Sequence, residues 1–117
     1  MARILLVEDN TDLLTILEDL LSTEHEVHTA RRGEEAVSRA RELEPQLIIM
    51  DLQLPAMSGI EAGRWIKGER DVPILALTAL AQNGDAERVL DSGCCDAYMA
   101  KPASLADIRR KVAELLG

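Results

Sequence analysis

Leu47-Ile48-Ile49-Met50-Asp51-Leu52-Gln53-Leu54-Pro55 sets four apolar residues directly before a carboxylate and a proline-bearing loop. The apolar run reads as a strand covered on both faces. A carboxylate where a buried strand ends is costly unless chemistry requires it. The same pattern stands near the N-terminus, where Ile4-Leu5-Leu6-Val7 precedes Glu8-Asp9. If the two runs are neighbouring parallel strands, three carboxylates meet at one edge of a sheet. At an effective dielectric of about 20, each close pair repels by roughly 4 kcal/mol at about 4 Å. A divalent cation relieves that repulsion and leaves one carboxylate able to act as a nucleophile, which points to acyl-phosphate chemistry.

Outward from this stretch, apolar runs alternate with segments of helical period. Strands are expected at 3–7, 26–30, 47–50, 73–77 and 97–99. A helix capped by Asn10 or Thr11 would turn Leu13, Leu17, Leu20 and Leu21 to one side. A second follows Gly33, with Ala36, Val37, Ala40 and Leu43 inward, and Pro45 stops it. A third runs from Gly59 to Gly68, burying Ile60 and Ile66 with Trp65 near its edge. Asn83-Gly84-Asp85 leads into a fourth that ends near Gly93. Ser104 and Asp107 give a capping-box-like start to a fifth, whose inner face is Leu105, Ile108, Val112 and Leu115. Five βα units imply an α/β fold, a doubly wound parallel sheet within one domain over residues 1–117. Ligands of such sheets sit outside the carboxyl ends of the strands. Glu8, Asp9, Asp51, Thr78 and Lys101 all fall there.

Composition narrows the function classes. With 117 residues, 47% hydrophobic and 29% charged, the chain has the balance of a folded protein with an aliphatic core. Phe is absent, and Trp65 and Tyr98 are the whole aromatic complement. A net charge of −8 and so few aromatics argue against direct nucleic-acid binding, by phosphate contacts or by base stacking. No apolar stretch reaches the ~20 residues of a membrane span. Cys94 and Cys95, adjacent and without further cysteines, read as buried packing residues of a reduced compartment, so the expected location is cytoplasmic.

Asp9 and Asp51 can each offer Mg²⁺ a carboxylate oxygen, the backbone carbonyl of Gln53 a third ligand, and Glu8 a contact through water. Asp51 is then the nucleophile in an in-line phosphoryl transfer, with Thr78 and Lys101 meeting the remaining phosphoryl oxygens. Each feature has a plainer reading. An acidic pair after a strand suits a helix N-terminus, Thr78 can cap the next segment, and Lys101-Pro102 can be only a turn. Their joint occurrence, each at a strand's carboxyl end, favours the chemical reading. His25 and His28 have metal-ligand spacing but no further partners, and read as exposed strand residues.

The order Glu8-Asp9, Asp51, Thr78-Ala79, Lys101-Pro102 resembles the receiver domain of two-component response regulators over essentially the whole chain. The resemblance implies a flavodoxin-like (βα)5 fold with strand order 2-1-3-4-5. It implies Asp51 as phosphoacceptor, Glu8 and Asp9 as the metal-site pair for Mg²⁺ or Mn²⁺, and Thr78 and Lys101 as phosphate contacts. Tyr98 matches the aromatic that changes rotamer on activation, so Thr78 and Tyr98 form the implied switch. Pro55 and Gly59 match the loop and helix start after the acceptor. The segments Ala76-Leu77-Thr78-Ala79, Gly84-Asp85, Gly93-Cys94 and Ala97-Tyr98 are nearest to stand-alone receivers of bacterial cell-cycle and phosphorelay type. Implied partners are a sensor histidine kinase or histidine phosphotransfer protein and a downstream protein target, with the chain a monomer or weak dimer. Two departures stand out: a short stretch before Pro73, and one extra residue around Cys95 that would shift Tyr98 relative to Thr78.

Two other functions compete. The chain can be an interaction module with the fold but no phosphate cycle. It can also be a small Mg²⁺-dependent phosphatase, because haloacid-dehalogenase-like enzymes use a similar strand-end Asp. Those enzymes place a second Asp two residues on, where this chain has Gln53, which cannot cycle a proton near neutral pH. Leu80 is expected to limit the approach of water. No DNA-binding output domain is expected after residue 117, so transcriptional action would be indirect and by protein contact, and the chain can equally be a fragment cut from a larger regulator or hybrid kinase.

Overall fold

Strand β1 (Arg3–Val7) carries no polar side chain from Ile4 to Val7 because helices cover both of its faces. The computed structural model describes residues 1–79 and 85–117. Among them, β1 pairs in parallel with β2 (Glu26–Ala30) on one side and β3 (Leu47–Met50) on the other. Strand β3 pairs with β4 (Ile74–Thr78), and β4 with β5 (Ala97–Ala100). The strand order is 2-1-3-4-5, the doubly wound arrangement that the resemblance implied. The carboxyl ends of β1 and β3 are therefore adjacent.

Alternate strand residues build two cores. Leu5, Val7, Ile48, Met50, Ile74 and Ala76 face α2 (Gly33–Leu43), α3 (Gly59–Glu69) and α4 (Asp85–Asp91). Ile4, Leu6, Leu47, Ile49, Leu75 and Leu77 face α1 (Thr11–Ser22) and α5 (Leu105–Leu116). Helix starts are capped by side chains: Asn10 accepts from the amide of Leu13, Ser58 from Glu61 and Ser104 from Asp107. Such a cap stabilises a helix by about 1 kcal/mol. Helix α2 lacks one and ends at Glu44, whose φ of 48° turns the chain toward Pro45.

Two helical faces differ from the expected stripes. In α1 the buried residues are Leu14, Leu17 and Leu21, with Leu13 and Leu20 half-buried beside them. Leucines so dense satisfy two stripes about 100° apart, and the sheet selects the one through Leu14. Leu105 is 45% exposed, not inward. Helical side chains lean toward the N-terminus, so the first residue of α5 lies past the end of its own helix. The stripe starts at Ile108 and Val112, with Leu115 half-buried.

His25 lies in the turn before β2, half-buried, and its Nδ1 accepts from the amide of Ala2 at 3.1 Å. His28 Nε2 lies 2.8 Å from Glu26 on the same face of β2. Neither is the exposed strand residue expected, because each has a local polar partner that draws it against the surface. The short connection before Pro73 is closed by Lys67, whose ammonium donates to the carbonyl of Val72 at 2.9 Å and pairs with Asp96. Asp96 also accepts from the amide of Ile74 at 2.8 Å, fixing where β4 begins. Cys94 and Cys95 are both free and buried.

Candidate functional site

The site grows from backbone pairing. The amide of Glu8 donates to Ala30 O at 3.0 Å, extending β1 past its last strand residue, and the amide of Asp51 donates to Val7 O at 2.9 Å. The first bond fixes Glu8 at the end of β1 and the second sets Asp51 beside it, although 43 positions separate the two in the chain. Glu8, Asp9 and Asp51 each offer a carboxylate oxygen, and the three lie within 4.8 Å of one another. Glu8 and Asp51 are buried, whereas Asp9 faces solvent.

Lys101 completes the cluster from the far edge of the sheet. Its amide donates to Thr78 O at 2.9 Å, continuing the β4–β5 ladder beyond Ala100. Its ammonium reaches Glu8 Oε1 at 2.8 Å and Asp51 Oδ2 at 3.0 Å. The other oxygens are held by backbone amides, Asn10 N on Glu8 Oε2 at 3.1 Å and Gln53 N on Asp51 Oδ1 at 3.0 Å. Burial pushes the Glu8 carboxyl above its usual range and the Asp51 charge adds to that, against the opposing pull of Lys101 and the Asn10 amide. Burial alone would lower the Lys101 ammonium, but its bonds to Glu8 and Asp51 outweigh it and leave the group raised.

With all three carboxylates ionised, one ammonium leaves the cluster at −2. That charge and an oxygen-only donor set suit a hard divalent cation such as Mg²⁺ or Mn²⁺, and no His or Cys stands in the group to favour zinc. The residues therefore fit the cation that the family resemblance implied.

Thr78 is the last residue of β4 and fully buried, one position beyond the expected strand end at Leu77. Tyr98 lies opposite Ala76, and Ala100 opposite Thr78, so Thr78 and Tyr98 share one face of the sheet. Tyr98 is half-buried against the core beneath α2, α3 and α4. In the turn before β5, Gly93 has φ of +80° and Cys94 and Cys95 pack inward. Register from Leu75–Ala97 to Thr78–Ala100 is unbroken, so Tyr98 keeps its face. Leu80, Asn83 and Gly84 lie outside the described residues.

One contact had no signal in the sequence. The guanidinium of Arg31, just after β2, donates to the backbone carbonyl of Asp9 and to Thr11 Oγ1, both at 2.8 Å. An exposed arginine in a loop carries no spacing or periodicity that would single it out.

Comparison with known proteins places this geometry. The family model described as the response regulator receiver domain matches residues 4–113. The chain is 39% identical over 118 aligned positions to the polar-differentiation response regulator DivK of Brucella anthropi, covering 97% of this chain and 95% of that one. It is 38% identical to the receiver domain of a Pseudomonas aeruginosa sensor histidine kinase, crystallised with a magnesium ion coordinated in its active site cleft. The TM-score is 0.89, with 99% of this chain and 98% of that one covered. A two-component response regulator from Clostridium difficile shares the fold with a TM-score of 0.92 at 24% identity, covering 99% and 96% of the two chains. Among the described residues, no helix is long and apolar enough to cross a membrane.

Proposed function

The chain belongs to the response regulator receiver domain family and functions in two-component phosphorelay signalling; from that premise we propose that Asp51 is its phosphoacceptor. The observation that carries this reading is the Lys101 ammonium shared between Glu8 Oε1 and Asp51 Oδ2 at 2.8 and 3.0 Å. It brings a cation to the acceptor from a strand end 50 residues away in the chain.

In the transfer, an Asp51 carboxylate oxygen attacks the phosphorus of a phosphohistidine on a sensor kinase or histidine phosphotransfer protein. The new O–P bond forms as the P–N bond breaks, and the leaving imidazole takes a proton from solvent. Glu8, Asp9 and Asp51, with the Gln53 carbonyl, would hold Mg²⁺ or Mn²⁺, which when bound neutralises charge on the transferred group. Lys101 then follows the charge from the Asp51 carboxylate to the phosphoryl oxygens, and the Thr78 hydroxyl meets another. An open apolar groove of about 430 Å³, which includes Leu13, Ala79, Pro102 and Ile108, leads to Lys101 and gives a protein donor a surface beside the acceptor.

Gln53 uses its amide to orient Asp51 and carries no acid to hydrolyse the product, so the chain acts as a switch and not as a phosphatase. Thr78 and Tyr98, on one face of the sheet, transmit the change to the α4–β5–α5 surface, where a cytoplasmic protein target binds.

Acetyl phosphate or a phosphorylated phosphotransfer protein should label the wild type in Mg²⁺ and not in chelator, and should fail to label Asp51→Asn. Undiminished acid-labile label on Asp51→Asn would overturn the assignment.

A further inference from the structure

We infer that Arg31 is a positioning residue for the cation site, clamping the turn that carries Asp9. This rests on the reading of Glu8, Asp9 and Asp51 as that site. The last residue of β2 and the one after it touch the acidic pair in succession: Ala30 O accepts from the amide of Glu8 at 3.0 Å, and Arg31 donates to the carbonyl of Asp9 at 2.8 Å. The same guanidinium nitrogen reaches Thr11 Oγ1 at 2.8 Å, so one planar group spans the turn from Asp9 to the first residue of α1. Arg31 is itself held, because its amide donates to Glu35 Oε1 at 2.7 Å from the first turn of α2.

The need for such a clamp follows from the site. Glu8 and Asp51 are buried and fixed by Lys101 and by backbone amides, but Asp9 is exposed. Among the described residues, no side-chain cation lies within 4.0 Å of the Asp9 carboxylate. Its position is set by its backbone, and Arg31 holds that backbone. Two effects of opposite sign follow. The positive charge opposes an incoming cation, while the clamp spares Asp9 the ordering that binding would otherwise demand. Arg31 is exposed to water, which screens its charge, so ordering dominates.

Mg²⁺ binding to the wild type, Arg31→Ala, Arg31→Lys and Thr11→Val, measured by calorimetric titration without any phosphodonor, decides the matter. Loss of a partner that orients a metal ligand weakens affinity about tenfold or more, and that is the loss expected for Arg31→Ala. Lys keeps the charge but not the planar fork, so Arg31→Lys should recover only part of it. Thr11→Val, which leaves the Asp9 carbonyl bond, should fall between wild type and Arg31→Ala. Faster hydrogen exchange at the Asp9 and Asn10 amides of Arg31→Ala, at unchanged melting temperature, would accompany the loss. Equal or tighter Mg²⁺ binding by Arg31→Ala would overturn the clamp while leaving the cation site intact. Absence of Mg²⁺ binding in the wild type would overturn both, so the two failures are distinct.

Discussion

Glu8 is a carboxylate in a place where a carboxyl would rather keep its proton, and two opposite pH dependences follow. Its pKa in the metal-free fold lies above the ordinary 4.5, mainly through burial, so the folded state binds more protons than the unfolded one across that window. The stability that Glu8 contributes is thus fully present below pH 4.5 and lost as pH rises through its elevated pKa. Mg²⁺ requires the ionised ligand, so its affinity should fall as pH falls through the same window. Glu26, held low by His28 and Arg3, and Glu69, held low by Arg41, lose stability on acidification and mask the trend in wild type alone. Chelator-treated wild type and Glu8→Gln, melted across pH, isolate it. The variant should gain stability relative to the wild type as pH rises from 4.5 toward neutral, because it carries no carboxyl that must ionise in the buried site. An unchanged difference between the two would mean that Glu8 is not strained by its burial. Glu8, Asp9, Asp51 and Lys101 were legible in the sequence because each follows an apolar run, and strand ends in a parallel sheet converge. Arg31 was not, because its partner is a backbone carbonyl, which every residue possesses.

Helix α3 is pressed against the site by residues that have no side chain. A Cβ built on Gly59 would lie 2.3 Å from the carbonyl oxygen of Asp51 and 2.6 Å from Leu52 Cα. One on Gly63 would lie 2.3 Å from the carbonyl of Cys94. All of these neighbours are backbone, which cannot swing aside. Gly59→Ala and Gly63→Ala should each cost about 2–3 kcal/mol in urea denaturation. Only Gly59→Ala displaces the acceptor strand end, so only it should slow phosphorylation per folded molecule. Equal phosphorylation rates for the two variants would show that the approach of α3 serves packing alone. Helix starts were readable from Asn10, Ser104 and Gly33, and one stop from Pro45. Which leucines of α1 turn inward was not, since Leu13 and Leu14 both satisfy a helical stripe and the sheet decides between them. Leu105 failed because periodicity does not register where a helix leaves the sheet behind.

At the scale of the molecule, a transferred phosphoryl group would add about −1.5 to −2 charges to a protein already at −8, at a sheet end where Lys101 is joined to Asp51, the proposed acceptor. Shifting a two-state equilibrium from 1:99 to 99:1 takes about 5.5 kcal/mol, which a few charge-assisted bonds and a cation can supply. Unbroken β4–β5 register keeps Tyr98 on the face of Thr78, as the proposed switch requires. Tyr98→Ala should take up phosphate as the wild type does but lose the difference in target binding between its phosphorylated and free forms. Retention of that difference, read by titrating target against both forms, would remove Tyr98 from the switch. The overall topology was legible because five apolar runs separated by helical periods admit few right-handed arrangements. Borohydride reduction converts an aspartyl phosphate to homoserine, and peptide mass mapping then locates it in the chain. After labelling in Mg²⁺, homoserine should stand at position 51 and nowhere else; its appearance at Asp9, or its absence from position 51 in labelled protein, would contradict the assignment of Asp51 as the acceptor.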